Sequence, residues 1–312
     1  MTKVSALCNF NCTSSNHTIE DSELHLADKI GLIVRIILTI FTCPLTVLLN
    51  ILVILAVKKR PRLQSKPNIL LACLAATDAF IGLTILPAFI LFETFKLFGN
   101  ESMVQTLRLH FLDRATATGI VNSLLHLMLV TFERLVAIKF TIHYPFIITE
   151  KNIKICVSVF WAIALSTWGL RYITSYVGLF SLTAVLPSCV IFITISYVIL
   201  YRETLRHKKR IKAQLMNRQE RERFLREKKA FKTTVLVVGA VVLCFIPAIL
   251  LMLSILVYKL PLAKSEHFSD WARMFATLNS LLNPLIYFWR EKEMRNLALT
   301  FFTRNASVNP QD

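Results

Sequence analysis

Acidic residues are scarce in this sequence: nineteen Asp and Glu stand against thirty-six Lys and Arg, a net charge of +17. A surplus of that size can mark a nucleic-acid binder, but its placement excludes that partner. Arg202 to Lys232 holds thirteen basic residues and four Glu, and Lys58 to Lys66 holds five basic residues and no acid. Met1 to Ile30 holds two Lys and four acids. No region has the composition of a second domain. There is no internal repeat and no matched pair of broken helices, which argues against a secondary transporter. The few His and Cys are dispersed without a paired motif, so no catalytic constellation, and no enzyme, is expected. Met1 to Ile30 also lacks the apolar core of a cleavable signal peptide, so the first helix is expected to act as the signal.

What is abundant is hydrocarbon. Hydrophobic residues make up 55% of the 312, the mean hydropathy is +0.57, and several apolar runs reach the ~20 residues that cross a bilayer. Helices are expected over about 31–57, 67–92, 104–138, 153–170, 172–201, 230–258 and 269–288, with almost nothing left between the fourth and fifth. The expected fold is all-α: a seven-transmembrane helix bundle closed by a short amphipathic surface helix. Residues 1–30 form a tail, 31–302 the membrane domain and 303–312 a short cytoplasmic end. Basic loops stay in the cytoplasm, which puts the amino terminus outside in a multi-pass protein of the plasma membrane. The basic run 202–229 is expected to extend helices five and six into the cytoplasm.

The cysteines follow this topology. Cys43, Cys73, Cys156, Cys189 and Cys244 fall inside apolar runs and are expected to pack as small hydrophobes. Cys8 and Cys12 face the oxidising side and could close a small local loop. Asn11, Asn16 and Asn100 lie in Asn-x-Ser/Thr sequons on the outer face and are expected to be glycosylated, whereas Asn305 is cytoplasmic and unused.

Polar groups inside apolar spans are costly and read as functional. Asn50 lies eight residues before the basic end of its helix, Asp78 eleven after Pro67, Ser123 eleven before Arg134 and Asn283 seven before Arg290. At 1.5 Å per residue these offsets are ~11–17 Å, near mid-depth of a ~30 Å hydrocarbon core. They could converge on one polar cluster. In the last span, Asn279 and Asn283 share a face four residues apart, and Pro284 interrupts the helix. Beyond it, Phe288, Leu297 and Phe301 with the charges from Arg290 onward fit a helix lying on the membrane surface.

Asn279-Ser280-Leu281-Leu282-Asn283-Pro284-Leu285-Ile286-Tyr287 resembles the NPxxY motif of rhodopsin-like (class A) G protein-coupled receptors. The other motifs agree over about 31–302: Asn50, Leu74-Ala75-Ala76-Thr77-Asp78, Trp161, and Glu133-Arg134-Leu135 where the family has DRY. Cys244-Phe245-Ile246-Pro247 stands for CWxP. The resemblance implies a receptor that binds an extracellular ligand in its outer half and activates heterotrimeric G proteins. Glu133, Arg134, Pro247, Asn283, Pro284 and Tyr287 would form the switch and coupling machinery. Asp78, Ser123, Asn279 and Asn283 would surround a sodium ion, with no other cofactor; a water cluster around a protonated Asp78 is the other reading. A transporter or channel using Asp78, and a non-signalling decoy of the same fold, are the alternative functions.

Departures narrow the ligand. No cysteine stands at Arg108-Leu109-His110 or between helices four and five, so the family's usual outer-loop disulfide cannot form. Melanocortin, cannabinoid and lysophospholipid receptors share that absence. Thr116 stands where amine receptors have an aspartate, and Thr277 where opsins have the retinal lysine, which disfavours both ligands. A peptide or lipid is expected instead, with Glu93, Asp113, Thr116, Phe245 and Arg273 as candidate contacts. Asn122 and His126 are expected to be satisfied polar groups of the bundle. Asp113 and Arg114 are equally readable as partners of neighbouring charges.

Overall fold

A computed structural model of the chain describes residues 3–173, 187–189, 191–203, 205–206, 235–236, 239–240, 242–251, 253–254, 257 and 266–306, with side chains from Leu26 onward except at 170–173, 290 and 301–306. The calls on Asn11, Asn16, Cys8 and Cys12 concern side chains outside that set. The cytoplasmic extensions of helices five and six also fall mostly outside it.

The first helix, α1 (Lys3–Lys59), carries Pro44 and ends at Lys58 and Lys59, two cations placed against the helix's terminal carbonyls. Residues 3–30 are thus helical and continuous with the first span; the part long and apolar enough to cross a membrane is Leu26–Lys59. A tight turn, Pro61–Leu63, leads into α2 (Lys66–Leu97), where Pro67 occupies the first turn, in which its missing N–H costs nothing. Gly99, at φ +69°, takes the left-handed conformation that reverses the chain. Asn100 then caps the next helix, its side-chain oxygen accepting from the Met103 N–H at 3.2 Å.

That helix, α3 (Glu101–Lys139), contains a π-helical stretch over Arg108–Leu112. After a one-turn helix, Tyr144–Ile147, α4 covers Glu150–Ile173 and so runs past residue 170, through the expected start of helix five at Tyr172. Helical residues 191–203 form α5, and Val242–Leu251 lie in α6. The seventh helix, α7 (Glu266–Arg290), starts three residues before the expected Ser269. The surface helix α8 (Lys292–Ala306) begins after Phe288 and extends beyond 302. Only Glu291 separates α7 from α8, and hydrogen bonds bridge it on both sides, which is why the junction is less sharp than the change in composition implies.

The fold is the seven-helix bundle. Among the described residues four helices, α1 to α4, are long and apolar enough to span a membrane. α3 is the central one: 72% of its apolar window is buried, against 17% for α4, which lies at the rim. Large apolar side chains such as Phe41, Leu83, Leu165 and Leu243 point outward, as they should where the solvent is lipid. Between helices in lipid, association depends on close packing rather than on a hydrophobic driving force. Gly82 provides it for α1 and α2: a Cβ there would come within 2.8 Å of a Val47 methyl.

Candidate functional site

Three polar layers are stacked along the bundle. At the end expected to face outward four acids meet four bases. Arg35 of α1, 1% exposed, donates through Nε and Nη2 to both oxygens of Glu93 on α2, each at 2.9 Å. Asp270 of α7 accepts from Lys96 at 2.8 Å and from Arg273 at 3.1 Å, and lies 4.0 Å from Arg35. Arg273 also donates to Asp113 of α3. Arg108 lies 3.9 Å from Asp113 and donates to Glu266 at 2.8 Å. The Arg35 guanidinium sits over Trp271, 5.3 Å from its ring centre.

The cluster is neutral in sum, which is what permits it to be buried. It has two tiers. Glu93 and Asp270 are sealed, whereas the Asp113 and Glu266 side chains are 37% and 41% exposed. The π-helical turn helps to shape the outer tier: the Asp113 N–H bonds the Arg108 carbonyl five residues back, so these two residues lie on successive turns of one face. Glu93, Asp113 and Arg273, read from sequence as ligand contacts, are thus tied to one another and to Arg35, Lys96, Arg108 and Glu266. Arg35 carried a readable signal, a cation within an apolar run. That it pairs with Glu93, 58 residues away, was not readable, and neither was the Lys96–Asp270 pairing, 174 apart.

The middle layer gathers the mid-depth polar residues. The Asn283 amide donates to Asp78 Oδ2 at 2.9 Å, and Asn279 donates to the Ser123 hydroxyl at 3.2 Å. Asn50 donates to the carbonyls of Thr46 and Ser280, at 2.8 and 2.9 Å. Asp78 Oδ1, Asn279 Oδ1 and Asn283 Oδ1 are buried without a hydrogen-bond partner among the described residues. A carboxylate and two amide oxygens left open in this way are the hard-oxygen set a sodium ion takes, so the residues fit that ion. Beside them lies a void of about 10 Å³ lined by Thr116, Ser123, Phe245, Asn279 and Ser280 among others, room for about one water-sized body. Thr116 and Phe245, the other candidate ligand contacts, are buried at 7% and 1% exposure on its wall, below the charged cluster.

The inner layer closes the opposite end, the one expected to face the cytoplasm. Glu133, 0% exposed, lies 3.2 Å from the Arg134 guanidinium and accepts from the Tyr144 hydroxyl at 2.7 Å. Tyr144 belongs to the one-turn helix after α3, and Lys66 of α2 lies over its ring at 5.4 Å. Sequence reasoning missed Tyr144, since nothing in its own neighbourhood points eleven residues back. Pro284 is internal to α7, and Tyr287 is packed at 2% exposure in the core shared with Phe245 and Met294 of α8. Pro247 lies half-buried in α6.

The profile of the "7 transmembrane receptor (rhodopsin family)" matches residues 49–177 and 167–287. The chain belongs to the rhodopsin family of receptors. It is similar to lysophosphatidic acid receptor 3 of Mus musculus, 29% identical over 276 residues, which span 82% of this chain and 75% of the relative. The Homo sapiens form of that receptor is 27% identical over 289 residues, 87% of this chain and 79% of the relative. The receptor is therefore a multi-pass protein of the plasma membrane and a G protein-coupled signalling protein, not an enzyme. Its partners are an extracellular ligand and a G protein, and membership favours this over a transporter or channel.

Proposed function

We propose that the receptor exposes its amino terminus and charged cluster to the outside and takes there a lipid with an anionic head group. It answers by freeing Arg134 to engage a heterotrimeric G protein. The observation that carries the coupling step is the double hold on Glu133: while Arg134 and Tyr144 both occupy that buried carboxylate, the arginine is withheld from a partner. Ligand then shifts a two-state equilibrium by binding one bundle state better than the other.

The lipid reading is supported by the lysophosphatidic acid receptors among its relatives and by the outer tier of the charged cluster. Arg108 and Arg273 are paired with half-exposed carboxylates. A phosphate could take over these bases while Asp113 and Glu266 turn to water; Arg35 and Glu93 have no such freedom. Nucleotide exchange on a G protein should respond to lysophosphatidic acid and not to the monoacylglycerol of the same chain. Arg108→Ala should lower that potency roughly ten-fold or more, as expected for a lost charged hydrogen bond. Activation by basic peptides instead, lost in Asp113→Asn, would move the ligand to the peptide class.

Sodium at Asp78, Ser123, Asn279 and Asn283 is part of the same proposal. The ion would stabilise the state in which these oxygens converge, by mass action. The purified receptor should melt several degrees higher in sodium chloride than in matched choline chloride, and Asp78→Asn should abolish the difference. A wild-type receptor indifferent to the cation would leave the cluster as water alone.

A further inference from the structure

A second cavity, of about 110 Å³, lies between α2, α3 and α4, apart from the outer cluster. Its walls are aromatic: Trp161 meets Phe80 edge-to-face at 5.8 Å, and Trp168 meets Phe111 likewise at 5.7 Å. Thr77 and Thr84 of α2 line it with hydroxyls already bonded within their own helix, and its unpartnered polar groups come from α3. Asn122 is 1% exposed, lines the cavity, and has neither its Nδ2 nor its Oδ1 in a hydrogen bond; Thr118, one turn earlier, lines it with an unpartnered hydroxyl. The expectation that Asn122 is a satisfied bundle residue is therefore overturned. His126, the next in that row, does bond through Nδ1 to the Asn122 carbonyl, at 2.8 Å.

Buried polar groups without partners are rare and costly, and more so where no water competes. Asn122 lies twelve residues from Arg134, about 18 Å along the helix and deep in the hydrocarbon. Entry is from the bilayer side, because Phe80 and Leu165 on the cavity wall are 50% and 57% exposed. We propose that this cavity binds a small neutral amphiphile from the membrane: one ring bearing one hydroxyl. The hydroxyl is the group that donates and accepts at once, as the free amide of Asn122 requires. Among the described residues no charged one lines the cavity, which disfavours an ion. For size, the cavity of about 150 Å³ that holds benzene is larger than this one, so the occupant is at most a single ring. Ile81 and Gly119 line this cavity and also the void beside Ser123 and Asn279, so an occupant touches the wall of the signalling cluster.

The test uses the full receptor in phosphatidylcholine nanodiscs and a benzyl alcohol carrying a photoreactive diazirine. Label should concentrate on Phe80, Trp161, Leu165 and Trp168. Benzyl alcohol should displace it at about five- to ten-fold lower membrane concentration than toluene, the margin of one neutral hydrogen-bonded group. Asn122→Leu should erase that margin, and Leu165→Trp, which fills the mouth and keeps the amide, should remove the labelling. Should Asn122→Leu fail to fold, Leu165→Trp decides alone: undiminished label at these residues overturns the site. Label spread evenly over the lipid-facing helices, equal displacement by toluene, or no displacement because water alone fills the cavity overturns it as well.

Discussion

Arg134→Ala is expected to abolish nucleotide exchange on the G protein while surface level and ligand affinity stay within a few-fold of wild type. Arg134 lies near the C-terminal end of α3, with the α3 segment from Asp113 onward separating it from the charged cluster, so the proposed mechanism gives it the coupling step and not ligand contact. Its removal leaves Glu133 with one partner, the Tyr144 hydroxyl, so some loss of stability accompanies the loss of coupling. Tyr144→Phe should act in the opposite sense. It weakens the hold on Glu133 without touching the arginine, and basal exchange should rise by about three- to ten-fold, the equivalent of one hydrogen bond. Measuring exchange without ligand on the two variants separates a lock from an anchor. An Arg134→Ala receptor that exchanges nucleotide at the wild-type rate, or a Tyr144→Phe receptor with unchanged basal activity, would defeat the mechanism.

Arg35→Ala is expected to cost about 3–5 kcal/mol of stability, the penalty for removing one member of a buried ion pair. Both oxygens of Glu93 lose their donor, and Asp270 loses a neighbouring cation. The indole of Trp271 loses the guanidinium stacked on it. Purified or expressed receptor should fall sharply in amount and in melting temperature. The paired change Arg35→Met with Glu93→Met should recover most of the loss, because two apolar side chains of similar volume leave no unpaired charge. If Arg35→Ala melts with wild type, the pair is not the brace between α1 and α2 that its geometry implies.

That brace bears on a feature visible in the sequence. The outer-loop disulfide cannot form, since the cysteines for it are missing. In the described structure, α3 is tied at its N-terminal end to α7 through Arg108–Glu266 and Arg273–Asp113. Ionic ties can exchange partners where a covalent one cannot, and half-exposed carboxylates are what an anionic ligand needs to displace.

The sequence alone determined the class of protein, because bilayer physics acts on composition directly. Apolar runs of the right length required a membrane-spanning helical bundle, and basic residues at one set of ends set its expected topology. Local motifs marked Asp78, Asn283 and the Glu133-Arg134 pair, since residues inside one helix keep fixed depth and face. Helix ends were less legible: α1 runs on into the tail, and α8 starts later, as backbone hydrogen bonding continues where hydropathy does not. Partnership across helices was decided only by tertiary structure. Arg35 with Glu93, Tyr144 with Glu133, and Asn122 facing a cavity instead of a partner depend on how helices rotate and pack. Rotation about a helix axis in lipid is set by close packing at residues such as Gly82 and by pairing of distant charges, and no one-dimensional spacing encodes either.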